Sequence, residues 1–223
     1  AMRRITAVAG WLVLLLLAAM AASAADGRIV FLTGEVSVQR NGSEVAADIG
    51  TTVATGDVVE TGSRATAVID LGRGAEIKLR ENTRTRIGDL EERMSVELER
   101  GGLFALVRRA IQGGFSVNTE TVAEDGRGTQ FFVAFGRTVE NRPDVWLCVN
   151  EGEVFVEVPE RGEQTVVREG EGINILDGVR LTDAQAYDWT RELNWNMDPD
   201  RGEVFDDTDL DEAYADLLDQ DYD

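Results

Sequence analysis

Period-two alternation in a succession of short runs with glycine between them is the feature that most constrains this chain. Arg28 to Thr33, Glu35 to Arg40, Ala65 to Leu71, Ala75 to Arg80, Gly152 to Val158 and Gly172 to Leu176 all follow it. A strand sends successive side chains to opposite faces, so such runs bury one face and wet the other. In Glu76 to Arg80, for example, Ile77 and Leu79 point one way and Glu76, Lys78 and Arg80 the other. Asn41-Gly42 is the dipeptide of a type I′ turn and predicts a hairpin between the runs on either side. Twenty-three glycines stand against three prolines, which suits many tight turns. No βαβ alternation is present, which argues against a parallel doubly wound sheet. The expected fold is all-β: an antiparallel β-sandwich or short β-roll of roughly twelve to sixteen strands over residues 25–181, closed by a C-terminal helix and an acidic tail.

Gly34-Glu35-Val36-Ser37-Val38 and Gly152-Glu153-Val154-Phe155-Val156 hint at an internal duplication, although a glycine, an acid and a valine also mark any hairpin exit. Gly101 to Gly114 interrupts the rhythm and is read as a strand followed by a short turn, with one amphipathic helical turn as the alternative. Phe115/Val117/Thr119 and Gln130 to Phe135 read as two strands flanking a turn. That turn is centred on Gly126, Arg127, Gly128 and Thr129, where two glycines allow a sharp reversal.

These last pieces also carry a resemblance. Phe115-Ser116-Val117-Asn118-Thr119, Arg127-Gly128-Thr129-Gln130-Phe131-Phe132-Val133 and Glu151-Gly152-Glu153-Val154 come one after another in order, and Gly56-Asp57-Val58-Val59-Glu60-Thr61-Gly62-Ser63 lies upstream. Together they resemble the FecR domain, a bacterial envelope module, over about Arg28 to Leu181. The resemblance implies an exported β module. In FecR-type regulators a cytoplasmic part holds a sigma factor and a single span leads to a periplasmic domain that receives a signal from an outer-membrane transporter. Here four residues precede the apolar run at the N-terminus, so only the exported module is expected to carry over, without the sigma-binding part.

Met2-Arg3-Arg4, an apolar run from Ile5 to Ala22 and the small residues Ala22-Ser23-Ala24 make residues 1–24 a signal peptide, or alternatively an uncleaved membrane anchor. Arginines ahead of the run favour export of the chain from Asp26 onward. The expected location is periplasmic or secreted, or anchored in the inner membrane facing the periplasm.

Charge and composition narrow the chemistry. The formal net charge is −20, and nucleic-acid binding needs the opposite sign. An acidic surface instead favours basic partners or cations. Histidine is absent and Cys148 is the single cysteine, which excludes Ser-His-Asp and Cys-His catalysis, histidine-ligated metals and an intramolecular disulfide. Cys148 sits in an alternating run and reads as a small buried apolar residue. Arg127 reads as a cation for a carboxylate inside the fold, with a ligand contact as the alternative.

From Thr182 the texture turns helical. Thr182 and Gln185 form a capping box, and Ala186, Trp189 and Leu193 share one face, which predicts a packing helix over 182–195 with Trp189 and Trp195 in the core. Residues 196–223 read as an acidic linker and a tail helix with Leu210, Tyr214, Leu217 and Leu218 on one stripe. That stripe is either a docking element for a partner or packs on its own domain. Fifteen acidic residues and two arginines fall between Asp183 and Asp223. The Asp198 to Glu203 and Asp206 to Glu212 stretches lack EF-hand spacing, so no metal or other cofactor is expected.

The expected function is a non-catalytic envelope module that recognises another envelope protein, one with a basic surface being the suited partner. The alternative is a glycan-binding domain using aromatics such as Trp146 or Tyr187 exposed on the sheet. A third reading pairs Glu35, Asp57, Glu151 and Glu153 as acid and base of a glycoside hydrolase.

Overall fold

A computed structural model of the protein describes residues 26–108, 110–119, 123–126, 128–139 and 142–191. It is built from two sheets, A and B, between which the chain passes repeatedly. β1 (Gly27–Thr33) lies in sheet A, and β2 (Val36–Arg40) with β3 (Ser43–Ala46) forms a hairpin in sheet B. β4 (Thr52–Val53) returns to A and β5 (Val58–Thr61) to B. β6 (Thr66–Gly72) and β7 (Ala75–Leu79) are a hairpin in A, followed by β8 (Arg84–Ile87) and β9 (Met94–Arg100) in B and β10 (Gly102–Val107) in A. β11 (Phe115–Asn118) and β12 (Ala123–Gly126) belong to B, β13 (Gln130–Val139) and β14 (Arg142–Glu151) to A, and β15 (Glu153–Val158) and β16 (Glu163–Arg168) to B. β17 (Glu171–Leu176), β18 (Arg180–Leu181) and β19 (Gln185–Ala186) complete sheet A, and a 3-10 turn comes next at Asp188–Arg191.

Across sheet A the order is β18-β17-β14-β13-β10-β7-β6-β1-β4, and across sheet B it is β16-β15-β12-β11-β9-β8-β5-β2-β3. Both orders climb almost monotonically with sequence, so the sandwich grows by laying each new hairpin beside the last. The pairings are antiparallel except β9 with β11. Between those two, the chain crosses to sheet A as β10 and comes back, the long crossover a parallel pair requires.

One hydrophobic core joins the sheets. Ile29, Ile69, Ile77, Leu79, Leu103 and Val133 from A meet Val38, Val59, Val96, Val117 and Val156 from B in a single buried cluster. Every one of these is an inward position of an alternating run, which is why period two specified the sandwich. The Asn41-Gly42 turn is as expected: both residues have positive φ, and Arg40 faces Ser43 across it. Gly101 to Gly114 does contain a strand, β10.

Two expectations are corrected. Gly126 to Thr129 does not reverse a hairpin between the runs on either side. Ala123–Gly126 is itself a strand paired with β11 and β15, and the turn carries the chain from sheet B to sheet A. The region from Thr182 is not an α-helix through its described part. Gln185 and Ala186 pair with Gly172 and Glu171 as β19, and Asp188–Arg191 is a 3-10 turn against β14. Backbone groups along β17 were available to pair, and that sheet edge outcompeted helix propensity. Residues 192–223, with Trp195 and the predicted tail helix, lie outside the described residues, as does the side chain of Trp189.

The two Gly-Glu-Val segments occupy equivalent positions. Gly34 and Gly152, with φ of 71° and 82°, each turn the chain from sheet A into a sheet B hairpin. A Cβ on Gly34 would stand 2.8 Å from Ala65 Cα, and one on Gly152 2.8 Å from the Gly128 carbonyl oxygen. Adjacent crossovers are therefore stacked too closely for any side chain, and glycine is required at both places.

Candidate functional site

The two outer faces of the sandwich differ in kind. On sheet A, the cross-strand row Val68–Lys78–Phe104–Phe132–Cys148 points away from the core cluster, yet every member is at most 2 % exposed. On sheet B the outward positions of β5, β8 and β9 include the charged residues Glu60, Arg84, Arg86, Glu97 and Glu99, all at least partly exposed.

That charged face is an ordered lattice. Arg84 on β8 donates to Glu60 on β5 at 2.6 Å, to Glu99 on β9 at 2.6 Å and to Gln39 on β2 at 3.1 Å. Arg86 donates to Glu99 at 2.6 Å and lies 3.4 Å from Glu97, while Arg100 pairs with Glu60. Alternation places these residues on one face, and the register brings Glu60 opposite Arg84 and Arg86 opposite Glu97. The Arg84 hydrogen bond, seconded by Arg100, holds the Glu60 carboxyl below its usual range despite partial burial. Arg84 is raised in turn, chiefly by Glu60 and Glu99. Linked guanidinium–carboxylate pairs of this kind fix the side chains and present a patterned, flat surface, where single exposed pairs would be worth little.

At one end of this face is an open groove of about 660 Å³ lined by Gly34, Glu35, Ser37, Glu44, Ala46 and Glu60, among others. Glu35 and Glu44 make no ion pair among the described residues. The groove runs beside β3, the edge strand of sheet B, whose four residues are all exposed. Val45 and Ile49 are exposed there at 56 % and 66 %.

The carboxylates considered for acid–base chemistry do not converge. Glu35 lines the groove. Asp57 is buried and gripped by Arg40, with contacts of 2.6 to 3.1 Å, and accepts from the Ala54 amide at 2.8 Å. Burial pushes its carboxyl up, but the Arg40 and Ala54 hydrogen bonds outweigh that and hold it below the usual range. Glu151 and Glu153 are exposed around the β14–β15 crossover, where Glu151 pairs in register with Gln130. Asp57 therefore acts as a structural anchor between β2 and the β4–β5 turn. No group of three or more potential metal-ligating residues occurs among the described residues.

The turn motif is structural where it is described. Thr129 is buried, its carbonyl accepts from Val107 at 2.9 Å, and Gly128 has a φ of 61°. Arg127 lies outside the described residues, as do Leu210, Tyr214, Leu217 and Leu218. Cys148 is buried, as expected, and burial pushes its thiol far up. Trp146 corrects an expectation: at 1 % exposure it cannot stack on a glycan. Tyr187 is half-buried and lies over Gly172, where a Cβ would stand 3.1 Å from its ring. Sequence reasoning missed the Glu60–Arg84–Glu99 lattice, although alternating acidic and basic residues at the outward positions of β5, β8 and β9 were there to be read.

Residues 57–155 match the family described as FecR protein. Two crystal structures of a protein described as a "putative anti-sigma factor" from Parabacteroides distasonis, at 1.65 and 2.50 Å resolution, share the fold with a TM-score of 0.51 and 21 % identity. The alignment covers 59 % of this chain and 60 % of that one, so the similarity spans only part of either molecule. No curated protein matches the chain.

Proposed function

We propose that this chain, whose residues 57–155 form a FecR domain, is a non-catalytic recognition module of the bacterial envelope that binds a protein through the outer face of sheet B. The observation that carries this reading is the asymmetry of the sandwich. One outer face is buried, and the other presents an ordered charge lattice beside a free strand edge and an acidic groove. A free edge accepts an extended segment by strand addition, and Glu35 and Glu44 suit a segment rich in lysine or arginine. Export in this reading rests on the basic n-region and apolar run at the N-terminus. FecR-type relatives support a regulatory role with protein partners, and the neighbour's description as an anti-sigma factor is compatible with one.

A glycan ligand is less well supported, because the described residues lining the groove include no aromatic one and Trp146 is inside. The test is co-purification from native envelopes of the full chain and of an Arg84→Glu, Arg86→Glu variant, in low and moderate salt. A protein retained by the parent and lost from the variant supports the reading. Equal retention by both would overturn sheet B as the surface.

A further inference from the structure

The two ends of the sandwich finish differently. At one end the edge strands are tied across the sheets: β16 packs against β17 and β18, and the Leu181 amide donates to Glu163 at 3.4 Å. At the other end sheet A finishes in the two-residue β4 and sheet B in β3, whose four residues are all exposed. Among the described residues β3 pairs with β2 alone.

The register says which groups that edge offers. In an antiparallel pair, opposite residues alternate between exchanging both backbone hydrogen bonds and turning those groups away. The Ala47 amide donates to the Val36 carbonyl at 2.8 Å, so Val45 with Val38 and Ser43 with Arg40 are the bonded pairs. The amides and carbonyls of Glu44 and Ala46 therefore point to the open edge, where no described strand meets them. Such a row of unpaired groups is a template for another strand.

Side chains set the preference on each face. Val45 stands opposite Val38, a member of the core cluster, and so points to the inner side of sheet B, yet it is 56 % exposed. On the outer side Glu44 stands opposite Gln39 and Ala46 opposite Ser37. The small side chains of Ala46 and Ser37 floor the groove of about 660 Å³, with Glu44 and Glu35 in its walls. Neither carboxylate makes an ion pair among the described residues. A second copy set edge to edge would bring one chain of net charge −20 against another, so charge favours a basic occupant.

We propose that β3 accepts an extended segment that alternates lysine or arginine with an apolar residue, added antiparallel to sheet B. Residues opposite each other across a strand pair share a face. The positions opposite Glu44 and Ala46 thus carry the cations, their stems lying toward Ala46 and Ser37 and their heads between Glu44 and Glu35. The position opposite Val45 carries the apolar side chain and extends the core by one strand. Backbone hydrogen bonds give affinity, and the alternation selects the sequence. The proposal rests on the reading that sheet B recognises a protein and names the kind of segment it takes.

The probe is a capped peptide of three lysines alternating with two valines between terminal threonines, compared with a peptide of the same composition whose lysines and valines stand in separate blocks. Binding to the full chain is measured by calorimetry at low salt, and exchange of the Glu44 and Ala46 amides by NMR. The alternating peptide is expected to bind at least tenfold more tightly than the blocked one and to slow both amides at least tenfold. Ala46→Pro removes one outward amide without breaking the ladder to β2, and is expected to weaken binding at least tenfold. Equal binding of the two peptides, or unslowed exchange at Glu44 and Ala46, would overturn the acceptor edge. If Ala46→Pro loses its β-sheet circular dichroism, exchange in the parent chain decides. A dimer of the full chain that Ala46→Pro dissociates would assign the edge to a second copy and overturn the basic segment. Envelope co-purification with Ala46→Pro separates this proposal from the reading beneath it. A protein kept by Ala46→Pro but lost from Arg84→Glu, Arg86→Glu overturns the edge and leaves sheet B as the surface. Slowed amides with the alternating peptide, but no envelope protein retained by the parent, support the edge and overturn the envelope reading.

Discussion

Lys78 and Phe104 face each other across β7 and β10, the ammonium 4.2 Å from the ring centre, and neither is reached by solvent. A cation over an aromatic face is worth up to about 2 kcal/mol when desolvated. Truncating the ring removes that contact together with its packing on Phe132. Phe104→Ala should destabilise the protein by about 3–5 kcal/mol in urea denaturation, more than Phe155→Ala on the exposed face of β15. Equal effects would mean that sheet A's outer face does not behave as a second core.

The Gly152 crossover predicts a backbone effect. Gly152→Ala places a Cβ 2.8 Å from the Gly128 carbonyl oxygen at a φ of 82°, and should cost more than about 1 kcal/mol. Gly42→Ala also has a positive φ but open space around it, so its effect should be about 1 kcal/mol or less. Thermal melts of the two variants separate steric stacking from φ alone.

How much of this was legible in the chain depends on which interaction decided each element. Ile77 and Leu79, or Val36 and Val38, alternate because the sheets bury one face, so strands, hairpin and sandwich could be read directly. Ala123–Gly126 was missed because an acidic, glycine-ended tetrapeptide looks like a turn. It is a strand only because β11 and β15 offer backbone partners on both sides. Gln185–Ala186 failed for the same reason, a local helical pattern yielding to the edge of β17. The charge lattice was legible residue by residue but not as a site, since pairing Arg84 with both Glu60 and Glu99 requires the register. Trp146 and Lys78 were assigned to a wet face by alternation, which cannot show that both residues are buried.

Acid should destabilise the protein through Asp57 and Glu60. Both carboxyls are held below their ordinary values of 3.8 and 4.5 in the folded state. The unfolded chain therefore takes up protons first as pH falls, and stability declines from about pH 4.5 downward. Asp57→Asn should flatten this decline in urea midpoints measured between pH 6 and 3. It should also lower stability at neutral pH by about 1–3 kcal/mol, because Arg40 and the Ala54 amide lose their acceptor. An acid limb unchanged by the substitution would contradict the assignment.

Arg84→Glu should be mild for the fold and severe for recognition. Its partners Glu60 and Glu99 are part-exposed, so the stability loss should stay near 1–2 kcal/mol, with the melt still cooperative. Collapse of the fold would show that the lattice is structural rather than a presented surface.

The most direct measurement is site-specific photo-crosslinking in native envelopes from position 97, on the charged face of sheet B, with position 177, in the β17–β18 turn, as control. One discrete protein adduct from Glu97 and none from Asp177, diminished by Arg84→Glu, is the predicted result. Adducts absent at Glu97, or equal at both positions, would contradict recognition of a protein through sheet B.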